Sequence, residues 1–439
     1  MTRNSRPTRY GPTAAAAIVL LLLASGAGAA IPGLAGTTFD LEARSGHLSM
    51  PEGSTPLFWG LAPAGGPVQY PAPTLIVEQG ATITINLSNA LCMPTSLVFP
   101  GQQDVTASGG TAGNLTREAP SGGSVSYTFV AARPGTYMYH AGTRPELQIE
   151  MGLVGAIIVR PTGFDPAAPT AYGHPDSAYD REVLFLLTEM DPRIHVLVES
   201  AGVAALEQTD YLSQYFPNFW FLNGRSAPDT MAMPEAPWLP HQPYDCMPMV
   251  HPGERLLMRV VGGGRDLHPF HHHGNHARII ARNGRLLQSA PGAGADMSHE
   301  VFTIKTIPGQ TVDAIFRWTG KNLGWDIYGT GPEHAHTCDD GDGDDFDDTT
   351  WEYCPDHGKP FPVTLPSGQN LAYGGFWSGT PFMGLPGSLP PGEGGLNPYG
   401  GFAFMWHSHN EKEMTTYNVF PGGNMTMLLV VPHGAPIGR

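Results

Sequence analysis

The stretch "PMVHPGERLLMRVVGGGRDLHPFHHHGN" (Pro248–Asn275) lies over "TLIVEQGATITINLSNALCMPTSLVFPGQ" (Thr74–Gln102) in a single register, with Gly80 on Gly253 and Gly101 on Gly274. Both are short β-branched, apolar segments punctuated by Gly and Pro, the pattern of strands and tight turns. A second correspondence follows each of them. "GGSVSYTFVAARPGTYMYHAG" (122–142) and "MGLVGAIIVRP" (151–161) match, in order, "PGQTVDAIFRWTG" (308–320), "GFAFMWHSHN" (401–410) and "GGNMTMLLVVP" (422–432). His140 falls opposite His407, and the larger offset there places an insertion in the second copy, mostly between Trp318 and Phe402. The same order in both halves indicates two copies of one β-unit.

The composition agrees. With 56 Gly, 43 Pro and only 14% charged residues, the chain favours many short strands over long helices. An all-β protein of two Greek-key sandwiches is predicted, with domain 1 over 31–165 and domain 2 over 178–439. The Pro/Ala-rich run Arg160–Asp180 reads as the linker, and the Gly/Pro/Asp-rich insertion over about 320–401 as irregular surface structure. At the start, Arg3, Arg6 and Arg9 precede an apolar run from Ala14 to Ala24 and the small-residue signature Ala27-Gly28-Ala29. Residues 1–29 therefore read as a secretory signal peptide, and the mature protein as exported with no membrane span. The formal charge of −16 opposes nucleic acid and anionic membrane surfaces and favours metal ions or cationic partners. Four cysteines in an exported chain allow two disulfides; Cys338 and Cys354 flank one local loop and are paired, leaving Cys92 with Cys246 by elimination.

Strand alternation gives the histidines a direction. In "HPFHHH" (268–273) His271 and His273 share a face and His272 takes the other; in "MWHSHN" (405–410) His407 pairs with His409 in the same way. Two His-x-His pairs on two strands make a plausible metal nest, and neutral imidazole suits copper, zinc, iron and nickel.

Here the chain resembles the multicopper oxidase family, built from cupredoxin domains. That family carries four motifs in order: H-x-H, H-x-H, H-x-x-H-x-H and H-C-H. The third is matched in full by His268, His271 and His273, and the fourth keeps both histidines, His407 and His409. By resemblance His271 would bind the type 2 copper, and His140, His273, His407 and His409 the type 3 pair; His268 is a possible further ligand, but with its copper partner missing it reads first, like His272 and His276, as a structural or supporting residue.

Two departures matter. Where the blue copper needs a thiolate, this sequence has Ser408, and a hydroxyl cannot replace that soft ligand. The next type 1 histidine falls near Glu413, and the axial position falls at Asn418 or Met425. The first motif is also eroded, with Val98 and Pro100 in its histidine places, and the second keeps His140 but has Gly142 as its partner. The alternative reading is that the surviving histidines are relics held by hydrogen bonds and stacking. Two-domain family members form ring trimers in which domain 1 of one subunit faces domain 2 of the next. The resemblance thus implies a homotrimer in which His140 meets the other four across an interface, the alternative being a monomer in which an internal interface joins them.

Between Cys338 and Cys354, "DDGDGDDFDDTTWEY" spaces Asp340, Asp342 and Asp344 at every second residue, with Asp348 four further on. Alternating carboxylates around glycines can wrap a calcium ion, although Asp345 stands where such loops want Gly and Trp351 where they place Glu. A solvated acidic loop is the alternative.

Two functions follow. The first is an exported copper-binding oxidoreductase with a His-only centre and no blue copper, acting on a small-molecule or metal-ion substrate. The second is a non-catalytic copper-binding or surface-interaction protein on the same scaffold, to which methionines such as Met405, Met414, Met425 and Met427 could add soft ligands. A Ser408 hydrolase is dismissed, because alternation turns the hydroxyl away from both flanking histidines.

Overall fold

The computed structural model describes residues 31–321, 323–330, 332, 335–360, 379–381, 402–431 and 437. The signal-peptide reading over 1–29, and residues 361–378 and 382–401 of the insertion, lie outside them.

In the first unit, Thr82–Asn89 ("TITINLSN") buries Ile83, Ile85 and Leu87 and turns its polar residues outward, the two-residue period of a half-covered strand. It pairs in parallel with Thr38–His47 and antiparallel with Ser124–Val130. The opposing sheet runs in the order Leu34–Ala35, Leu75–Glu78, Val154–Arg160, Gly135–Ala141, Leu97–Val98. The second unit repeats the plan. One sheet is built on Arg181–Met190, Arg255–Gly262 and Thr311–Arg317, and the other on Met425–Val430, Phe402–Ser408, His268–His272 and Thr303–Thr306. The molecule is all-β, two cupredoxin-like sandwiches each closed over its own apolar core.

Val154–Arg160 is buried at every position, and this explains its unbroken apolar run "VGAIIV". Ile157 and Val159 face the first core, while Val154, Ala156 and Ile158 pack on Leu184, Leu186 and Phe221 of the second unit. A strand covered on both faces needs no polar side. The seam also holds a buried polar group: Arg259 reaches Glu182 (2.9 Å) and Thr136 (3.0 Å), and Thr136 donates to Asp313 (2.6 Å). The linker is not free either, since Ala171 and Tyr179 pack against Ile280 and Ile315.

The internal repeat is visible in the strand register. His140 sits opposite Val98 in the first unit, and His407 sits opposite His271 in the second. These are the positions the sequence alignment equates.

Two expectations are corrected. Cys92 and Cys246 are not bonded: Cys92 is exposed on the turn after Thr82–Asn89, while Cys246 is buried in the second core and donates to the Leu222 carbonyl. Pairing them by elimination ignored that they belong to different units. Cys338 and Cys354 do form a disulfide. The insertion is not wholly irregular, for Gly379–Pro381 adds a strand beside Phe402–Ser408. A ten-residue helix, Pro192–Ala201, also follows the first strand of the second unit and lays Ile194 and Val198 on the first core.

Candidate metal centre

The His268–His272 strand and the Phe402–Ser408 strand lie side by side, and alternation carries four imidazoles to one end of the sandwich. The ring centroids of His271 and His409 are 4.5 Å apart, those of His271 and His273 4.7 Å, of His407 and His409 5.0 Å, and of His273 and His407 5.1 Å. The Nε2 atoms of His273 and His407 approach to 3.1 Å. His407 Nδ1 lies 2.8 Å from the Ser408 carbonyl. A carbonyl only accepts, so Nδ1 carries the proton and Nε2 presents a lone pair. Burial, followed by the neighbouring His409 and His407, lowers the pKa of His271 to about 4, and burial lowers that of His407 as well. Convergent, and with His407 fixed by its outer nitrogen, this set has the donor chemistry that copper takes.

His272 points the other way. It is buried against Phe316 and Trp406, with ring centroids at 5.9 and 6.0 Å, and Nε2 lies 3.1 Å from the Val301 carbonyl. Its role is packing. His276 stands beside Phe302, at 5.8 Å.

His268 has a different fate from its three neighbours. Its Nδ1 lies 2.9 Å from Glu413 and its Nε2 2.8 Å from Glu189, all three side chains being sealed from solvent. Two buried carboxylates overcome the burial penalty and raise its pKa to about 10, so the ring is a cation with both nitrogens engaged. Glu413 further accepts from Asn410 (2.9 Å), and Glu189 from the backbone of Asp266 (3.0 Å) and from Tyr215 (3.2 Å). Ser408, fully buried, accepts from the Asn410 backbone at 3.1 Å.

Residues 66–163 match the multicopper oxidase family. The match lies within the first unit and covers under a quarter of the chain. Among curated relatives it is 33% identical over 117 residues to a probable nitrite reductase-hydroxylamine oxidoreductase fusion protein of Kuenenia stuttgartiensis, covering 25% of this chain and 14% of that one. It is 35% identical over 94 residues to the multicopper oxidase VdtB of Byssochlamys spectabilis, covering 21% and 13%. The chain thus spans under a fifth of the length of these relatives. Among solved structures, the blue copper oxidase from Nitrosomonas europaea aligns over 89% of this chain and 85% of its own, with a TM-score of 0.54 at 17% identity. The multicopper oxidase mgLAC aligns over 92% and 88%, again at 0.54, with 16% identity. At such identities the likeness is one of fold.

In this multicopper oxidase fold, the family match covers the unit whose histidine positions are eroded. Val98 and Gly142 touch there: a Cβ on Gly142 would come within 2.8 Å of Val98. His140 survives and is held as His407 is, its Nδ1 2.9 Å from the carbonyl of the next residue, Ala141. Among the described residues no ring contact joins His140 to the other four histidines.

In the acidic loop, Asp340, Asp342 and Asp344 come together while Asp348 stands outside the group. Asp340 accepts from the backbone of Gly343 (2.8 Å) and Asp344 (2.9 Å), so part of its capacity already folds the loop. The partners of His268 were missed by sequence reading, apart from the placing of Glu413 near the blue-copper histidine. Glu189 sits 79 residues upstream of His268 with no local signal.

Proposed function

We propose that this chain is an exported copper-binding oxidoreductase whose copper is held by His271, His273, His407 and His409, with no blue copper. One observation carries the reading: His273 and His407 bring ring nitrogens to 3.1 Å, and the hydrogen bond from His407 to the Ser408 carbonyl aims its lone pair into that space. Copper bound there would supply one-electron redox chemistry toward O2, peroxide, a small molecule or a metal ion. Burial favours the neutral form of His271 and His407, and the Ser408 carbonyl orients His407. At the blue position Ser408 offers no thiolate, and His268 has both nitrogens committed to carboxylates, which supports the absence of that centre.

Copper analysis with an electron paramagnetic resonance spectrum tests this reading. The expected result is bound copper with imidazole hyperfine structure and no intense blue thiolate band; a strong blue band, or no copper uptake, overturns it. Oxygen uptake with phenols or metal ions then separates an oxidase from a non-catalytic copper-binding protein. The Asp340, Asp342, Asp344 group supports a calcium loop, which calorimetric titration with calcium would detect and whose silence would remove it.

A further inference from the structure

A second cluster of metal-ligating side chains lies away from the histidine nest, in the insertion of the second unit. Asp326 follows the Thr311–Arg317 strand, His336 and Glu352 flank the acidic loop, and His357 follows a short 3-10 turn at Cys354–Asp356. One donor atom from each of the four lies within 4.8 Å of all the others. His336 Nε2 is 3.0 Å from Glu352 and 3.6 Å from Asp326 Oδ2; His357 Nδ1 is 2.9 Å from Glu352 and 3.6 Å from the same Asp326 oxygen. The two rings stand perpendicular, at 88°. We propose that Asp326, His336, Glu352 and His357 form a four-coordinate site for a zinc-class divalent ion that locks the insertion onto the second unit.

Spacing, burial and support all point the same way. A tetrahedral zinc with bonds of roughly 2.0–2.2 Å to nitrogen and oxygen has edges between its ligand atoms of roughly 3.3–3.6 Å. Both imidazole separations from Asp326 Oδ2, 3.6 Å, match that edge, and the shorter contacts of 3.0 and 2.9 Å reach the two different oxygens of Glu352. The 3.6 Å pairs with Asp326 are too long for hydrogen bonds, so direct bonding among the side chains leaves Asp326 uncompensated. Both carboxylates are about 1% exposed, and two anions so buried require positive charge close by. Neutral imidazoles with a dication balance them and use all four donors at once.

The surroundings orient each ligand. Asp326 accepts from the backbone of Gly358 and of Tyr328, both at 2.9 Å, and Tyr328 lies edge-on to the His336 ring. The Cys338–Cys354 disulfide closes two residues beyond His336 and two beyond Glu352, so it staples together the two chain segments that carry those ligands. Asp356, one residue before His357, accepts from the Gly324 backbone, two residues before Asp326, at 2.9 Å. Thus covalent and hydrogen-bonded ties hold all four donors before any ion arrives.

The test uses the whole mature protein loaded with zinc alone, freed of excess by gel filtration and analysed by mass spectrometry for metal. Zinc per chain is expected to fall by one in Glu352→Gln and in His357→Ala relative to the unaltered protein, whatever zinc the histidine nest takes being the same in both. Cobalt(II) on the unaltered protein guards against a folding failure in the variants: intense visible bands of four-coordinate cobalt are expected. Absence of zinc from the unaltered protein, a zinc content unchanged in both variants, or only the weak spectrum of six-coordinate cobalt would overturn the proposal.

Discussion

His268 shows how one position can keep its residue and exchange its chemistry. Glu413 stands where the resemblance places a type 1 histidine, and with Glu189 it turns His268 from a candidate ligand into a buried cation. Replacing His268 by Leu strands two buried carboxylates, and should cost about 3–5 kcal/mol in chemical denaturation. The pH dependence has a definite sign. Because the folded pKa lies above the unfolded value of roughly 6.5, the contribution of His268 is complete below that value and is lost as pH rises through about 10. Alkaline unfolding should therefore begin later in His268→Leu, relative to its own stability at neutral pH, than in the unaltered protein. An identical alkaline profile in both would refute the charged triad.

At the scale of strands and helices, period-two alternation made the nest legible: His271 and His273 converge with His407 and His409, and His272 does not. His273→Ala should therefore lose copper by metal analysis. His272→Leu, which keeps an apolar side chain against Trp406, should retain it; equal copper in the two variants would reduce the nest to a relic. The sequence alone sets copper release near the ordinary histidine range, but burial and the neighbouring rings lower His271 to about 4. His271, which stays neutral in acid, should keep its bond to copper as pH falls through roughly 6.5, and release in a dialysis series should come below that value. The Pro192–Ala201 helix was overlooked although its punctuation is present, Asp191-Pro192 at the start and Gly202 at the end. A period-two reading of the chain has no place for a ten-residue helix. Asp191, wholly buried, accepts from the backbone of Arg193 (3.1 Å) and Phe216 (2.9 Å), so Asp191→Ala should destabilise by about 1–3 kcal/mol in a urea titration. The partners of His268 and the pairing state of Cys246 were illegible for another reason. They depend on which distant segments share a core, and no local pattern records that.

For the molecule as a whole, the question is what His140 is for. Its ring is held by the next carbonyl as the ring of His407 is, yet among the described residues no hydrogen bond or ring contact joins it to the nest. A hinge cannot bring them together. The seam between the units is a packed apolar layer with Arg259 buried between Glu182 and Thr136, and opening it would expose charge that is fully paired when closed. A second copy of the chain can do what a hinge cannot. Phe302, 60% exposed, lies beside His271 and His276, and Leu115, 65% exposed, adjoins Thr116, near the Val98–Gly142 contact of the first unit. Apolar side chains left on both faces fit a surface that association covers. The copper-loaded protein should accordingly elute as a trimer in size exclusion with light scattering, and His140→Ala should lower copper per chain without unfolding the monomer. Mixing His140→Ala and His273→Ala chains through a dissociated state should then restore part of the copper, because in some interfaces an intact His140 meets an intact nest. A copper-loaded monomer whose copper content is indifferent to His140→Ala would confine the centre to one chain and leave His140 without a role in it.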